Sequence, residues 1–204
     1  MIKRELYMNR IRPFIGGELI KVMTGIRRSG KSVMLELIKE ELAEAGVAPS
    51  QMISINFEDM RYSHLQTATA LHDEIIKRAE GIEGKAYLFF DEIQEVEGWE
   101  KCVNSLRVAL DCDIYITGSN AKLLSGELAT YIGGRYVEFV IYPFSFAEFL
   151  ELYHTIAPSD SIQQCFQKYL LAGGMPYLAN LRYEEEPSRQ YLTDCLLYTS
   201  DAAD

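Results

Sequence analysis

Short apolar runs alternate with amphipathic stretches along most of the chain. Ile20 to Thr24, Met52 to Phe57, Ala86 to Phe90, Ile114 to Thr117 and Tyr136 to Ile141 are compact runs rich in β-branched and aromatic residues, which predicts five strands. Between them the apolar period lengthens. Met34, Leu35, Ile38 and Leu42 mark a helix over 33–45 closed by Gly46 and Pro49. Leu65, Leu71, Ile75 and Ile76 mark one over 64–78, and Val103, Leu106 and Leu110 one over 99–110. Strands alternating with helices predict an α/β fold with a parallel sheet. Residues 4–15 also read as helical, with Leu6, Ile11 and Ile15 sharing a face, although Pro13 limits regularity and Gly16-Gly17 breaks the chain. After Pro143 the pattern changes to two helices, 144–153 and 161–171, interrupted by Gly173-Gly174-Met175-Pro176; Glu184-Glu185-Glu186 reads as a solvated charge run.

The junction between the first strand and the helix after it carries the most specific chemistry. Gly25-Ile26-Arg27-Arg28-Ser29-Gly30-Lys31-Ser32 fits the phosphate-binding loop pattern G-x-x-x-x-G-K-[ST], and strand, glycine loop and helix follow in the order that motif requires. Glycines free the backbone to aim successive N–H groups at phosphate oxygens, and the following helix adds the positive end of its dipole. Lys31 is expected to reach the β- and γ-phosphates, and Ser32 to ligate Mg²⁺. The stretch through Val33 is the candidate nucleotide-binding segment. Arg27 and Arg28 occupy its variable positions, as a solvated pair or as a phosphate or partner contact.

Ala86-Tyr87-Leu88-Phe89-Phe90-Asp91-Glu92 is the second informative stretch. An apolar run ending in two carboxylates fits a central parallel strand whose carboxyl end opens onto a site. Asp91 is expected to hold Mg²⁺, directly or through water, and Glu92 to polarise an attacking water. Ser119 and Asn120, beyond the fourth strand, either sense the γ-phosphate and position water or cap the next helix. Arg135, after Gly133-Gly134, either stabilises transition-state charge or lies on the surface. Glu58 and Asp59 follow the second strand at the sheet edge where ligands of α/β folds collect, and read either as part of such a site or, the simpler case, as a loop pair.

Composition narrows the class. A chain of 204 residues, 48% hydrophobic and 25% charged, has room for one α/β core and a smaller unit. No apolar run approaches the length of a membrane span and no signal peptide is visible, so a cytoplasmic protein without membrane contact is expected. Cys102, Cys112, Cys165 and Cys195 have no metal-site spacing and read as reduced structural thiols. Net charge is −10, divided as +6 over residues 1–31 and −16 beyond. The acidic remainder argues against direct nucleic-acid binding by this portion.

These motifs, with Thr117-Gly118-Ser119-Asn120, with Gly133-Gly134-Arg135 followed by Tyr142-Pro143-Phe144-Ser145-Phe146-Ala147-Glu148-Phe149, and with Gly173 to Pro176, resemble the prokaryotic AAA-type ATPases that carry a C-terminal domain of unknown function. The resemblance covers residues 1 to about 194 and implies a P-loop NTPase three-layer sandwich with sheet order 5-1-4-3-2, ATP rather than GTP, and a catalytic Glu92. It places Arg135 where an arginine finger acts, usually on a neighbouring subunit, while Gly173 to Pro176 offers no lid arginine. The expected organisation is an ATPase core over 1–142 and a helical lid or linker over 143–194. Residues 195–204 resemble a translated sequencing adapter and are set aside as non-native. The expected activity is Mg²⁺-dependent ATP hydrolysis coupled to conformational change, with a homo-oligomer and an unknown protein client as partners. The alternatives are a nucleotide-gated interaction module with little hydrolysis and a small-molecule phosphotransferase; a GTPase is disfavoured because no N-K-x-D motif occurs.

Overall fold

A computed structural model describes residues 2–118 and 132–200, with side chains described through 195. The described residues form two compact units, one of residues 5–24 and 31–140, the other of residues 2–4, 25–30 and 141–200.

The first unit is built on five parallel strands: β1 (Ile20–Thr24), β2 (Met52–Asn56), β3 (Ala86–Asp91), β4 (Cys112–Thr117) and β5 (Tyr136–Val140). Their order is β2-β3-β4-β1-β5, which is the expected 5-1-4-3-2 sheet read from the other edge. Central position explains the burial pattern: β1 and β4 are buried along their whole length, whereas the edge strand β2 exposes alternate residues.

Helices cover both faces. Ile20, Val22, Leu88, Phe90, Ile114 and Ile116 point to the face packed by α3 (Ala68–Ala79) and α4 (Trp99–Ala109), through Leu71, Ile75, Trp99, Val103 and Leu106. On the opposite face lies α2 (Lys31–Glu44), whose Lys39 ammonium reaches Ser54 of β2 and sits 5.7 Å from the Phe89 ring. Arg12, following α1 (Glu5–Ile11), binds Glu41 of α2 at 2.8 Å.

Local chemistry moves several boundaries from where period alone puts them. The helix expected over 4–15 stops at Ile11 and becomes a 3₁₀ turn, Arg12–Phe14, because Pro13 supplies no amide donor. The one expected over 64–78 divides: Met60–Leu65 is a 3₁₀ segment, and α3 begins only after Thr67, whose hydroxyl accepts from the Ala70 N–H.

β4 starts before the expected Ile114 and so brings Asp113 into the sheet. Asp113 and Lys21 are fully buried and form an ion pair between β4 and β1. The second Asp113 oxygen accepts from the Gly16 N–H and the Tyr115 hydroxyl, each at 2.7 Å, and Lys21 also donates to the Gly17 carbonyl. Burial pulls the Lys21 ammonium below its ordinary pKa, against the opposing pull of Asp113.

The second unit holds α5 (Phe146–Tyr153), α6 (Ile162–Ala172) and α7 (Glu185–Ser200). Its core is aromatic: Phe149 stacks on Tyr153 at 5.1 Å, and Tyr183 meets both rings edge-on. Ser145 and Ser161 close capping boxes with Glu148 and Gln164. Glu185 and Glu186 of the charge run are exposed and occupy the first turn of α7, where acids offset the helix dipole. Among the described residues no helix is long and apolar enough to cross a membrane.

Asp113→Asn leaves the Lys21 charge buried without its counter-ion and is expected to cost about 3–5 kcal/mol of stability. Urea unfolding followed by Trp99 fluorescence measures it, and an unchanged midpoint would contradict the structural role of the pair.

Candidate nucleotide-binding site

At the carboxyl ends of three adjacent strands, polar side chains meet on the α2 face. Asn56 pairs in register with Asp91, and Phe90 with Ile116, so that Thr117 comes alongside Asp91. Asp91 is only 6% exposed. One of its oxygens accepts from the Thr117 hydroxyl and the other from Asn56 Nδ2 at 3.1 Å, and Ser32 at the start of α2 also hydrogen-bonds the carboxyl. Burial raises the Asp91 pKa above the usual carboxylate range; the Thr117 and Ser32 hydrogen bonds and the Lys31 charge pull it down without cancelling the rise.

Glu92 turns out of the strand in a left-handed conformation, φ 55°, with its N–H bonded to Thr117 Oγ1 at 3.0 Å. A non-glycine residue held there costs of order 1 kcal/mol, and such strain gathers at functional positions. Its carboxylate lies 3.8 Å from the Lys31 ammonium and accepts from Gln94 Nε2 at 2.5 Å. Lys31, Ser32, Asp91 and Glu92 are therefore together, as their motifs predict.

In the second unit, the loop from Gly25 to Gly30 has the expected backbone freedom. Gly25 has φ 141°, and a Cβ built there would lie 2.2 Å from the Ile141 carbonyl oxygen, so only glycine fits. Gly30 has φ 101°, and Arg28 is left-handed at φ 64°. Ser29 is fully buried with no partner for its hydroxyl among the described residues. Ile26 and Arg27 are exposed. The Arg28 guanidinium lies 5.2 Å over the Tyr191 ring, and Arg27, Arg28, Tyr191 and Asp194 line a cavity of about 280 Å³ with Cys195. Val33 follows in the first turn of α2.

Other candidates lie elsewhere. Arg135 precedes the first residue of β5, at the amino ends of the strands, where it binds Asn104 of α4 at 3.0 Å; it is not brought together with Lys31, Asp91 and Glu92. Ser119 and Asn120 lie outside the described residues. Asp59 caps the 3₁₀ turn and pairs with Arg61. Sequence reasoning gave no role to Thr117, Asn56 or Gln94. No local pattern singles them out, since the strand register is what sets Thr117 and Asn56 beside Asp91.

The site suits a divalent cation and a phosphate chain. A hydroxyl and a buried carboxylate are hard oxygen donors of the kind Mg²⁺ takes, usually few in number beside substrate phosphates and water. A carboxyl whose charge is disfavoured by burial gains from a cation.

A family model described as an AAA domain matches residues 18–150. The chain belongs to this AAA domain family. An uncharacterized protein of Haemophilus influenzae is 44% identical over 176 residues, covering 86% of this chain; the chain spans 44% of that relative's length. Among solved structures, AMPPCP-bound DnaA from Aquifex aeolicus has a TM-score of 0.50 at 14% identity, covering 95% of this chain and 67% of that one. The Aeropyrum pernix ORC1 protein in complex with DNA has a TM-score of 0.52 at 14% identity, covering 94% and 66%. At such identity these two likenesses concern the fold, which is that of an AAA-type P-loop ATPase.

Asp91→Asn removes the buried charge of this AAA domain while keeping its shape. The nucleotide-free protein should unfold no earlier than wild type and up to about 2–4 °C later per kcal/mol of desolvation relieved. Calorimetric scans should also lose the extra stabilisation that Mg²⁺ adds to bound nucleotide; if Mg²⁺ still adds it, Asp91 is not a metal ligand.

Proposed function

We propose that this AAA domain binds Mg²⁺-ATP and hydrolyses it, coupling nucleotide state to a conformational change. The observation that carries this is the meeting of Lys31 and Ser32, at the start of α2, with Asp91 and Glu92 at the end of β3. In this reading the loop amides and Lys31 hold the β- and γ-phosphates and take up negative charge that develops as the γ-phosphoryl group leaves. Ser32 and Asp91 would hold Mg²⁺, which would supply charge neutralisation on the phosphate oxygens. Thr117 and Asn56 keep the Asp91 carboxylate turned towards Ser32. Glu92, presented by its left-handed backbone, orients a water for in-line attack. Ser119 and Asn120, outside the described residues, are read as γ-phosphate sensors, and Arg135, being at the far end of its own sheet, would serve the site of a second copy.

A second reading is a nucleotide-gated module whose turnover waits for a partner. It is favoured by the Gln94 hydrogen bond, which occupies the Glu92 carboxylate. The client, and any role of the longer protein that relatives represent, belong to that question. With −16 beyond residue 31, direct nucleic-acid binding by this portion forms no part of either reading.

Lys31→Ala should weaken ATP binding by tenfold or more, roughly the worth of a charge-assisted contact, while Glu92→Gln should retain ATP and lose about 10²-fold or more in turnover. Phosphate release alongside equilibrium binding separates the two, and unchanged hydrolysis in Glu92→Gln would sink the assignment of the base. ATP bound without turnover in the wild type supports the gated module. For Arg135, the expected result is that Arg135→Ala binds ATP but does not turn it over, and that mixing it with Lys31→Ala restores part of the rate. No recovery on mixing argues against action on a second copy.

A further inference from the structure

Arg4 lies outside every motif, yet it is one of the few charged side chains withdrawn from water, at 2% exposure. Its guanidinium makes three directed bonds within the second unit. Nη1 donates to the Ser29 carbonyl of the glycine loop at 2.9 Å, Nη2 to the Tyr142 carbonyl at 2.8 Å, and Nε to Glu148 Oε1 at 2.8 Å. Phe144 stacks beneath it with 5.2 Å to the ring centroid. The other Glu148 oxygen is held by the Ser145 N–H and hydroxyl, which fixes the carboxylate at the first turn of α5. Arg4 itself is left-handed, φ 47°, a conformation a non-glycine residue keeps only where its surroundings hold it.

The contact with the loop has a directional consequence. In a planar trans peptide the C=O and N–H point to opposite sides. A guanidinium that grips the Ser29 oxygen from one side therefore turns the Gly30 N–H to the other. Gly30 accommodates this approach: a Cβ there would come within 3.2 Å of Arg4 Nη1. Arginine suits the task because its planar fork, always charged, serves three acceptors in fixed directions, whereas a lysine offers one point of attachment.

We propose that Arg4 is a positioning residue for phosphate binding: it holds the Ser29 carbonyl outward so that the Gly30 N–H faces the bound phosphate, and through Glu148 and Tyr142 it ties that loop conformation to the start of α5. The proposal rests on the nucleotide-binding reading above and adds to it a residue outside the phosphate-binding motif. Phosphate that draws in the Gly30 N–H pulls on the Ser29 carbonyl bond, and the strain passes along Arg4 to the Glu148 end of α5.

Binding of Mg²⁺-ATP and Mg²⁺-ADP to wild type, Arg4→Lys, Arg4→Met and Glu148→Gln tests this, with Trp99 emission and the thermal midpoint reporting folding. Arg4→Met should weaken both nucleotides by about ten- to a hundredfold, Arg4→Lys should recover part, and Glu148→Gln should lose less than Arg4→Met, all with native Trp99 emission. Amide exchange in 146–150 should slow on nucleotide addition in wild type and not in Arg4→Met. Wild-type affinity in Arg4→Met overturns the proposal, as does weakened binding that merely follows a lost native emission while folded Glu148→Gln binds like wild type. A wild-type chain that binds no Mg²⁺-ATP overturns the nucleotide reading itself, a result distinct from an effect of Arg4 alone.

Discussion

A carboxylate that water reaches only to 6% must be stabilised by its neighbours or give up its charge, and Asp91 sets that condition for the centre of the first unit. Its compensation comes from three other elements at once: Asn56 from β2, Thr117 from β4 and Ser32 from α2. Each must arrive in register, because a slip of one residue in either neighbouring strand would turn its polar side chain to the opposite face. The hydrogen bonds are still insufficient to bring the acid into its usual range. The fold thus holds Asp91 in place as a buried acid whose charge burial disfavours.

The opposite end of the same sheet face resolves the same problem differently. There Lys21 and Asp113 neutralise one another, and Gly16, Gly17 and Tyr115 take up the remaining hydrogen bonds. In this network each charge has its counter-ion, whereas the acid at the carboxyl ends is held by hydrogen bonds from Thr117, Asn56 and Ser32. The polarity of a parallel sheet is therefore visible in its buried charges as well as in its strand direction.

Much of this was readable beforehand, and the reasons differ by residue. The strands announced themselves as compact, largely apolar runs, because parallel strands in such a sheet are covered on both faces, and the Gly25 to Ser32 motif has a fixed spacing that backbone geometry demands. The sheet order followed from resemblance, since period cannot say which strands are neighbours. Thr117 and Asn56 stayed hidden because a polar residue at a strand end looks like any cap until register sets it against an acid. Arg4 was invisible for a stronger reason: its partners lie 25, 138 and 144 residues away, beyond any local pattern. The left-handed backbones of Arg28 and Glu92 break local preference, and such places are where sequence logic is expected to fail.

The strand order also bears on how the molecule comes into being. Of the described strands β1 is made first, yet its hydrogen-bonding neighbours are β4 and β5, the two made last. With roughly a hundred residues still to be made, at about 5–20 residues per second, β1 and the glycine loop behind it wait several seconds without a sheet to join. During that interval β2, β3 and β4 can pair in sequence with α3 and α4 against them. The strand that leads into the phosphate-binding motif thus joins the edge that β4 offers and in turn offers β5 its edge, and a nascent chain stalled before Tyr136 would hold the motif with β5 missing from beside β1.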